Sequence, residues 1–192
     1  MVRIVSRQPF LPFSLSALKT FLRVTQDDED DYLLQLMKNG RAFVELMTSE
    51  AVTEATYEEY FDWNGTEYIN PKILNVSSIT GVSFLDADGA WNDMVEVPFE
   101  IYPGSDPIKF RMISTEEEDN DADFWAFLTD PTDAPNLKIT YKAGAATSAD
   151  VTEHFIDIIY NYCGFFYENR QAAATPKFLF DHVGMNRKKY DI

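Results

Sequence analysis

Between residues 33 and 47 the apolar positions Leu33, Leu36, Met37, Gly40, Phe43, Val44 and Met47 follow one another at intervals of 3, 1, 3, 3, 1 and 3. That spacing is the repeat of an α-helix with one buried face, sustained over about four turns. A shorter series, Leu15, Leu18, Phe21 and Leu22, predicts a helix ahead of it, with Ser14 or Ser16 as N-cap. Residues 27–31, Asp-Asp-Glu-Asp-Asp, precede the longer helix. Carboxylates there stabilise the positive end of the helix dipole, so a cap and first turn account for them without a metal.

From about residue 52 the rhythm changes. Ala55, Tyr57, Phe61 and Trp63 lead into Asn64-Gly65, a strong hairpin signal, with Tyr68 and Ile69 beyond it. Val76, Ile79, Val82, Phe84 and Leu85 predict one or two strands, Asp86-Ala87-Asp88-Gly89 a turn, and Met94, Val95, Val97, Phe99 and Ile101 the return. Ile108, Phe110, Met112 and Ile113 alternate, and Leu137, Ile139 and Tyr141 form a last strand. Short strands with frequent turns predict an antiparallel sheet or small sandwich.

A second long helix is expected near residues 149–173. Val151, Phe155, Ile158, Ile159, Tyr162 and Phe166 make one stripe, while Ile156, Tyr160, Phe165 and Tyr167 cover much of the other side. A helix apolar nearly all round is buried on several sides, and a neighbouring subunit can supply one of them. Leu33, Leu36, Met37, Phe43 and Val44 are expected to pack on Phe155, Ile158, Ile159 and Tyr162. The fold class is α+β: a helical bundle with an inserted antiparallel β sub-domain. The expected divisions are an N-terminal helical part over 1–51, the β sub-domain over 52–143, a helix completing the bundle over 144–175, and a C-terminal arm over 176–192. The arm is expected to lack a core of its own, so that its deletion leaves the fold intact.

Composition narrows the class. Of 192 residues, 45% are hydrophobic and 25% charged, which is a folding rather than a disordered balance. No apolar run reaches the roughly 18 residues of a membrane span, so no membrane partner is expected. MVRIVSRQPFLPF does not read as a secretory leader. The single cysteine, Cys163, excludes an internal disulfide, and synthesis in a reducing cytoplasm is expected.

The net charge of −16 is local. Residues 1–50 hold 6 basic and 7 acidic groups, residues 144–192 hold 5 and 6, and residues 51–143 hold 5 and 19, a net of −14. The densest run is Glu116-Glu117-Glu118-Asp119-Asn120-Asp121-Ala122-Asp123. Such a surface does not grip phosphates. Within the last segment, residues 176–192, with Lys177, Arg187, Lys188 and Lys189 against Asp181 and Asp191, are net basic.

Catalytic motifs are missing. There is no phosphate-binding glycine loop, no nucleophile elbow and no zinc-protease helix. His154 and His182 lack metal-ligand spacing. Asp119, Asp121, Asp123 and Asp130 fall at positions 1, 3, 5 and 12 of a calcium loop, but Phe124 stands where the glycine turn is required. No enzyme activity and no cofactor are expected.

Several segments resemble the head–tail connector (adaptor, head-completion) proteins of tailed phages. Leu15-Ser16-Ala17-Leu18-Lys19-Thr20-Phe21-Leu22-Arg23-Val24 and the acidic cluster resemble the family's Leu-x-x-Leu-Lys-x-x-Leu-Arg-Val opening helix and its capping. Pro71-x-x-x-x-Val76-x-x-Ile79, continuing to Phe84-Leu85-Asp86-Ala87-Asp88-Gly89, looks like its first long hairpin. Leu137-Lys138-Ile139-Thr140-Tyr141-Lys142-Ala143-Gly144 looks like its last strand, and Phe165-Phe166-Tyr167-Glu168-Asn169-Arg170-Gln171 resembles its His-Trp-Tyr-Glu-Asn-Arg helix end. The likeness spans roughly residues 14–190. The proline usual before the last helix is missing from Ser148-Ala149-Asp150-Val151, and the acidic stretch is longer than in the family.

The resemblance implies a structural virion protein at the neck, forming a homo-oligomeric ring, typically a dodecamer, beneath the portal protein. The ring would extend the DNA channel and dock a head-completion or tail-terminator protein, with genomic DNA passing through without specific binding. Portal docking is expected from Phe178, Leu179, Phe180, Val183, Arg187, Lys188, Lys189 and Tyr190, and a subunit contact from Ile156, Tyr160, Phe165 and Tyr167. The alternative is a small-ligand or carbohydrate-binding β-module using Trp63, Trp91 and Trp125.

Overall fold

A computed structural model describes residues 2–62, 68–85, 89–93, 99–101, 110–112, 136–172 and 174–187. The chain divides into two compact units, a sheet unit of residues 1–7 and 55–143 and a helical unit of residues 8–54 and 144–192. It passes between them three times.

The sheet unit has five strands in the order β1-β2-β7-β3-β4, all antiparallel: β1 (Val2–Arg7), β2 (Ala55–Phe61), β3 (Val76–Leu85), β4 (Trp91–Asp93) and β7 (Leu137–Ala143). A separate ribbon pairs β5 (Phe99–Ile101) with β6 (Phe110–Met112). The predicted alternation is clearest on the central strands. Ala55, Tyr57 and Glu59 of β2 and Leu137, Ile139, Tyr141 and Ala143 of β7 are buried, with half-buried residues between them. Mixed α+β architecture is thus observed, with an antiparallel sheet.

One buried position is charged. Glu59 is 1% exposed on the inner face of β2. Its Oε2 accepts hydrogen bonds from the Tyr141 hydroxyl at 3.0 Å and the Lys72 backbone N–H at 3.0 Å, and the Lys72 ammonium lies 4.0 Å from Oε1. These donors offset the desolvation of the carboxylate. They also tie the segment before β3 to the middle of the sheet. Burial, and then the neighbouring Glu59 charge, raise the Tyr141 phenol above its ordinary range, so it stays a donor.

Strand β1 is a departure from the expected divisions, which placed residues 1–51 in the helical part. Val2, Ile4 and Val5 do not alternate, and an outer strand with exposed side chains on both faces leaves no such pattern.

The helical unit contains α1 (Leu15–Leu22), α2 (Asp30–Thr48), α3 (Glu153–Glu168) and α4 (Lys177–Arg187). Ser14 caps α1, its Oγ accepting the Ala17 N–H at 3.1 Å. Arg23 ends that helix in the left-handed region. Leu33, Leu36, Met37, Gly40, Phe43 and Val44 are the buried positions of α2, as the periodicity predicts. They share one core with Phe155, Ile158, Ile159 and Cys163 of α3, and the Phe43 and Tyr162 rings lie 5.4 Å apart. Gly40 lets the two helices approach closely, since a Cβ there would lie 3.1 Å from Ile159 Cγ2 and 3.2 Å from Tyr162 Cδ1. Burial pushes the Cys163 thiol up to about 12, which makes it an inert core side chain.

Helix α3 starts later than residue 149. A 3-10 turn at Ser148–Asp150, closed by a reciprocal capping box of Thr147 and Asp150, precedes it. Gly144, with φ +98°, makes the entry into this unit possible. A Cβ there would sit 2.6 Å from the Thr53 carbonyl oxygen. Around it Glu54 N–H donates to Ala145 O at 2.7 Å, and Thr53 bridges Ala145 in parallel.

The segment expected as an arm is corrected by the structure. Eleven of its residues form α4, whose Leu179 and Val183 are 0% and 2% exposed in the helical core. Their apolar side chains are covered by the chain's own helices, so deleting 176–192 would open the core rather than leave it intact.

Candidate functional site

The stretches that resemble connector motifs come together in the helical unit as clamps between helix ends. The Lys19 ammonium of α1 reaches Asp27 and, at 2.7 Å, Asp30 in the first turn of α2. Hydrogen bonds to those two carboxylates raise the Lys19 pKa and hold Asp27 below the ordinary carboxylate value. At the same N-terminal end of α2, Glu29 accepts the Tyr167 hydroxyl at 2.6 Å and pairs with the Arg170 guanidinium. The Arg170 guanidinium also lies over the rings of Tyr32 at 4.9 Å and Tyr167 at 5.1 Å. The Tyr32 hydroxyl donates to Phe166 O at 3.0 Å. The acidic cluster therefore does more than face a dipole. Glu29 occupies the N-cap position without a side-chain capping bond, because its carboxylate is committed to α3. Hydrogen bonds from Tyr167 and then Arg170 lower its pKa.

The residues expected at a subunit contact are largely engaged within this unit. Tyr160 stacks on Phe13 at 4.1 Å and lies 4.8 Å from Phe21. Tyr167 belongs to the Glu29 clamp, Ile156 packs partly buried on the helical core, and Phe165 lies edge-on to Phe166 and Phe178. These intramolecular contacts explain the nearly all-round apolar character of α3.

The residues expected to dock on the portal divide by helix face. Leu179 and Val183 point into the core, whereas Phe178 and Phe180 are 48% and 40% exposed. Phe178 meets Phe165 at 6.0 Å, and Phe180 meets Phe43 at 5.6 Å, both edge-on. Phe178 and the half-exposed Phe21 line a groove of about 520 Å³ that also contains Gly164, Phe165 and Arg23. A Cβ at Gly164 would come within 3.4 Å of Phe21 Cε1. These exposed phenylalanines were not separable from their buried neighbours by sequence, since both kinds are large and apolar. Lys188, Lys189 and Tyr190 and the Arg187 side chain lie outside the described residues.

Between α3 and α4 the His154 and His182 rings are 5.5 Å apart, and the buried His154 Nε2 has no hydrogen-bond partner among the described residues. Burial, and then the facing His182, lower the His154 pKa below 6.5, with Asp157 opposing. A base whose folded pKa lies below its unfolded value binds its proton more readily when unfolded. Its effect is absent above the unfolded pKa, and stability falls as pH drops from about 6.5 through the folded value. Melting temperature is expected to fall between pH 7.5 and 5.5, and His154→Gln should flatten that slope. The carboxylates with lowered pKa act in the same direction at lower pH, holding stability above their unfolded values, 4.5 for Glu29 and 3.8 for Asp27, and losing it as pH falls through the folded ones.

In the sheet unit, Trp91 lies edge-on to Tyr60 at 5.4 Å with the Lys138 ammonium 5.5 Å from its centroid. Trp63 and Trp125 lie outside the described residues, as do Asn64-Gly65, residues 86–88 and the acidic run with Asp119, Asp121, Asp123 and Asp130. Among the described residues no three metal-binding side chains cluster, and no helix is long and apolar enough to cross a membrane.

This two-unit fold is shared with chains of virus-like particles. A chain from the neck of an empty gene transfer agent (GTA) particle, computed with C6 symmetry, matches with a TM-score of 0.70 at 18% identity, over 95% of this chain and 93% of that one. A chain from the virion of the native GTA particle matches at 0.69 and 17% identity, over 96% and 94%. A chain from the neck of the native particle, computed with C12 symmetry, matches at 0.66 and 18%, over 96% and 93%. At these identities the likeness establishes the fold. No protein-family model and no curated protein matches the sequence.

Proposed function

We propose that the protein is a non-enzymatic structural component of a virion neck, a head–tail adaptor that forms a ring beneath the portal, lengthens the DNA channel and docks the next neck or tail component. The observation that carries this reading is the likeness over nearly the whole chain to neck chains in assemblies of C6 and C12 symmetry. The motif residues agree with it from a separate direction, because Lys19, Glu29, Tyr167 and Arg170 join helix ends into one rigid unit. The net charge of −14 over residues 51–143 suits a wall past which DNA slides, since phosphates meet like charge and find few cations to exchange for counterions.

Within this reading, α4 and the basic residues after it dock on the portal. Phe178 and Phe180 offer aromatic anchors of the kind that dominate interface energetics, and Arg187, Lys188 and Lys189 add charge. Because α4 also carries core residues, the test uses point substitutions. Phe178→Ser with Phe180→Ser is expected to reduce co-sedimentation with purified portal at least about tenfold, the loss of one anchor's worth of binding energy, while the circular dichroism spectrum stays native. Unchanged co-sedimentation by the folded variant would remove α4 from the portal contact.

A further inference from the structure

Helix α4 meets the helical unit along a narrow face. Leu179 and Val183 are buried there, and His182 lies between them on the same side, at helical spacings of three and one. On α3, His154 stands directly before the buried Phe155 and one turn before the buried Ile158. The two imidazoles meet in the seam between the helices, with centroids 5.5 Å apart and planes tilted at 59°. The Phe155 ring, 6.3 Å from His154, adds an apolar neighbour.

That seam suits neutral rings. His154 Nε2 is buried and, among the described residues, has no hydrogen-bond partner. A neutral ring can leave this nitrogen as a bare acceptor, whereas an imidazolium makes it a charged donor with nothing to donate to, which costs more. A charge on His182 would then face a like charge across the 5.5 Å gap. The charged groups on the surrounding helices do not cancel this. Glu153 and Asp157 of α3 and Lys177 and Asp181 of α4 are exposed to water, Glu45 of α2 accepts the Val52 N–H, and Arg41 of α2 adds a further positive charge. Asp157 favours a charged His154, but burial and then His182 outweigh it, so the docked ring holds its proton less readily than a free one.

We propose that the His154–His182 pair is a pH-sensitive latch: neutral rings keep α4 docked on α3, and protonation of the pair releases α4 while α1, α2 and α3 stay folded. The sign follows from linkage, since the released state binds more protons and gains population as pH falls. The latch belongs to the helical unit and goes beyond the neck reading, standing whether or not α4 touches a portal.

Hydrogen exchange of the full-length chain tests it, read by mass spectrometry at pH 7.5 and 5.5 and corrected for the intrinsic pH dependence of amide exchange. Peptides covering 178–187 are expected to be at least about tenfold less protected than those covering 33–47 at both pH values, the mark of a helix that opens alone. Their protection is expected to fall about tenfold from pH 7.5 to 5.5, the change produced by one histidine that stays neutral when docked and titrates near 6.5 when released. In His154→Gln that fall should shrink to about twofold or less, and in His182→Gln it should be smaller than in the parent; either variant suffices if the other does not fold. Equal protection of the two segments at both pH values, protection of 178–187 that ignores pH, or an undiminished fall in a folded variant would each overturn the latch.

Discussion

Leu36→Ala is expected to destabilise the helical unit by about 2–5 kcal/mol, the range for truncating a buried leucine. The side chain is 5% exposed and belongs to the core that joins α2 to α3. Leu46→Ala supplies the control, because it makes the same chemical change on the same helix at a position 78% exposed. That variant should stay within about 0.5 kcal/mol of the parent. All three tryptophans fall in the sheet unit, so urea unfolding is best followed by far-ultraviolet circular dichroism. Equal shifts for the two variants would mean that the buried face of α2 has been assigned to the wrong side.

Gly144→Ala should cost about 3 kcal/mol, the order expected from adding a positive-φ penalty of about 1–2 kcal/mol to an overpacking cost of about 1–3 kcal/mol. The obstacle is backbone. A Cβ would lie 2.6 Å from Thr53 O and 2.7 Å from the Thr53 carbonyl carbon, and neither is a flexible tip that can swing aside. Gly89→Ala separates the two contributions, since its φ is +80° and, among the described residues, nothing lies within 4 Å of an added Cβ. If the two alanine variants lose equal stability, the close approach to Thr53 contributes nothing.

The helical face of α2 was legible because one side is buried and the other wet, so seven apolar positions keep the helical period. Strands β2 and β7 were legible for the corresponding reason at period two. What escaped the sequence was set by tertiary partners. Strand β1 has a register shift between Ile4 and Ser6, and its adjacent Ile4 and Val5 are both about half exposed, so its pattern does not alternate. Helix α4 looked like a charged arm because, among its described side chains, Leu179 and Val183 are the buried ones, too few to mark a face within a stretch that also holds exposed phenylalanines. The buried Glu59 has no sequence signature, because its burial is made tolerable by Tyr141, which lies 82 residues away.

The candidate site shows the same division. Residues Lys19, Glu29, Tyr167 and Arg170 were visible as motif pieces, but their pairing across the helical unit was not. Glu29 could be placed at a helix start, where a cap or dipole role suffices, and only the folded chain brings Tyr167 and Arg170 to it. The motif residues therefore build the scaffold, and the proposed portal contact rests on what that scaffold exposes, including Phe178 and Phe180.

Electron microscopy of the full-length chain mixed with purified portal tests the adaptor role most directly. Rotational averages are expected to show a ring of copies coaxial with the portal, extending its channel, and built only when both components are present or when the chain is highly concentrated. Portal particles that keep a bare lower face at excess protein, with the chain still folded and monomeric in the same sample, would contradict the role.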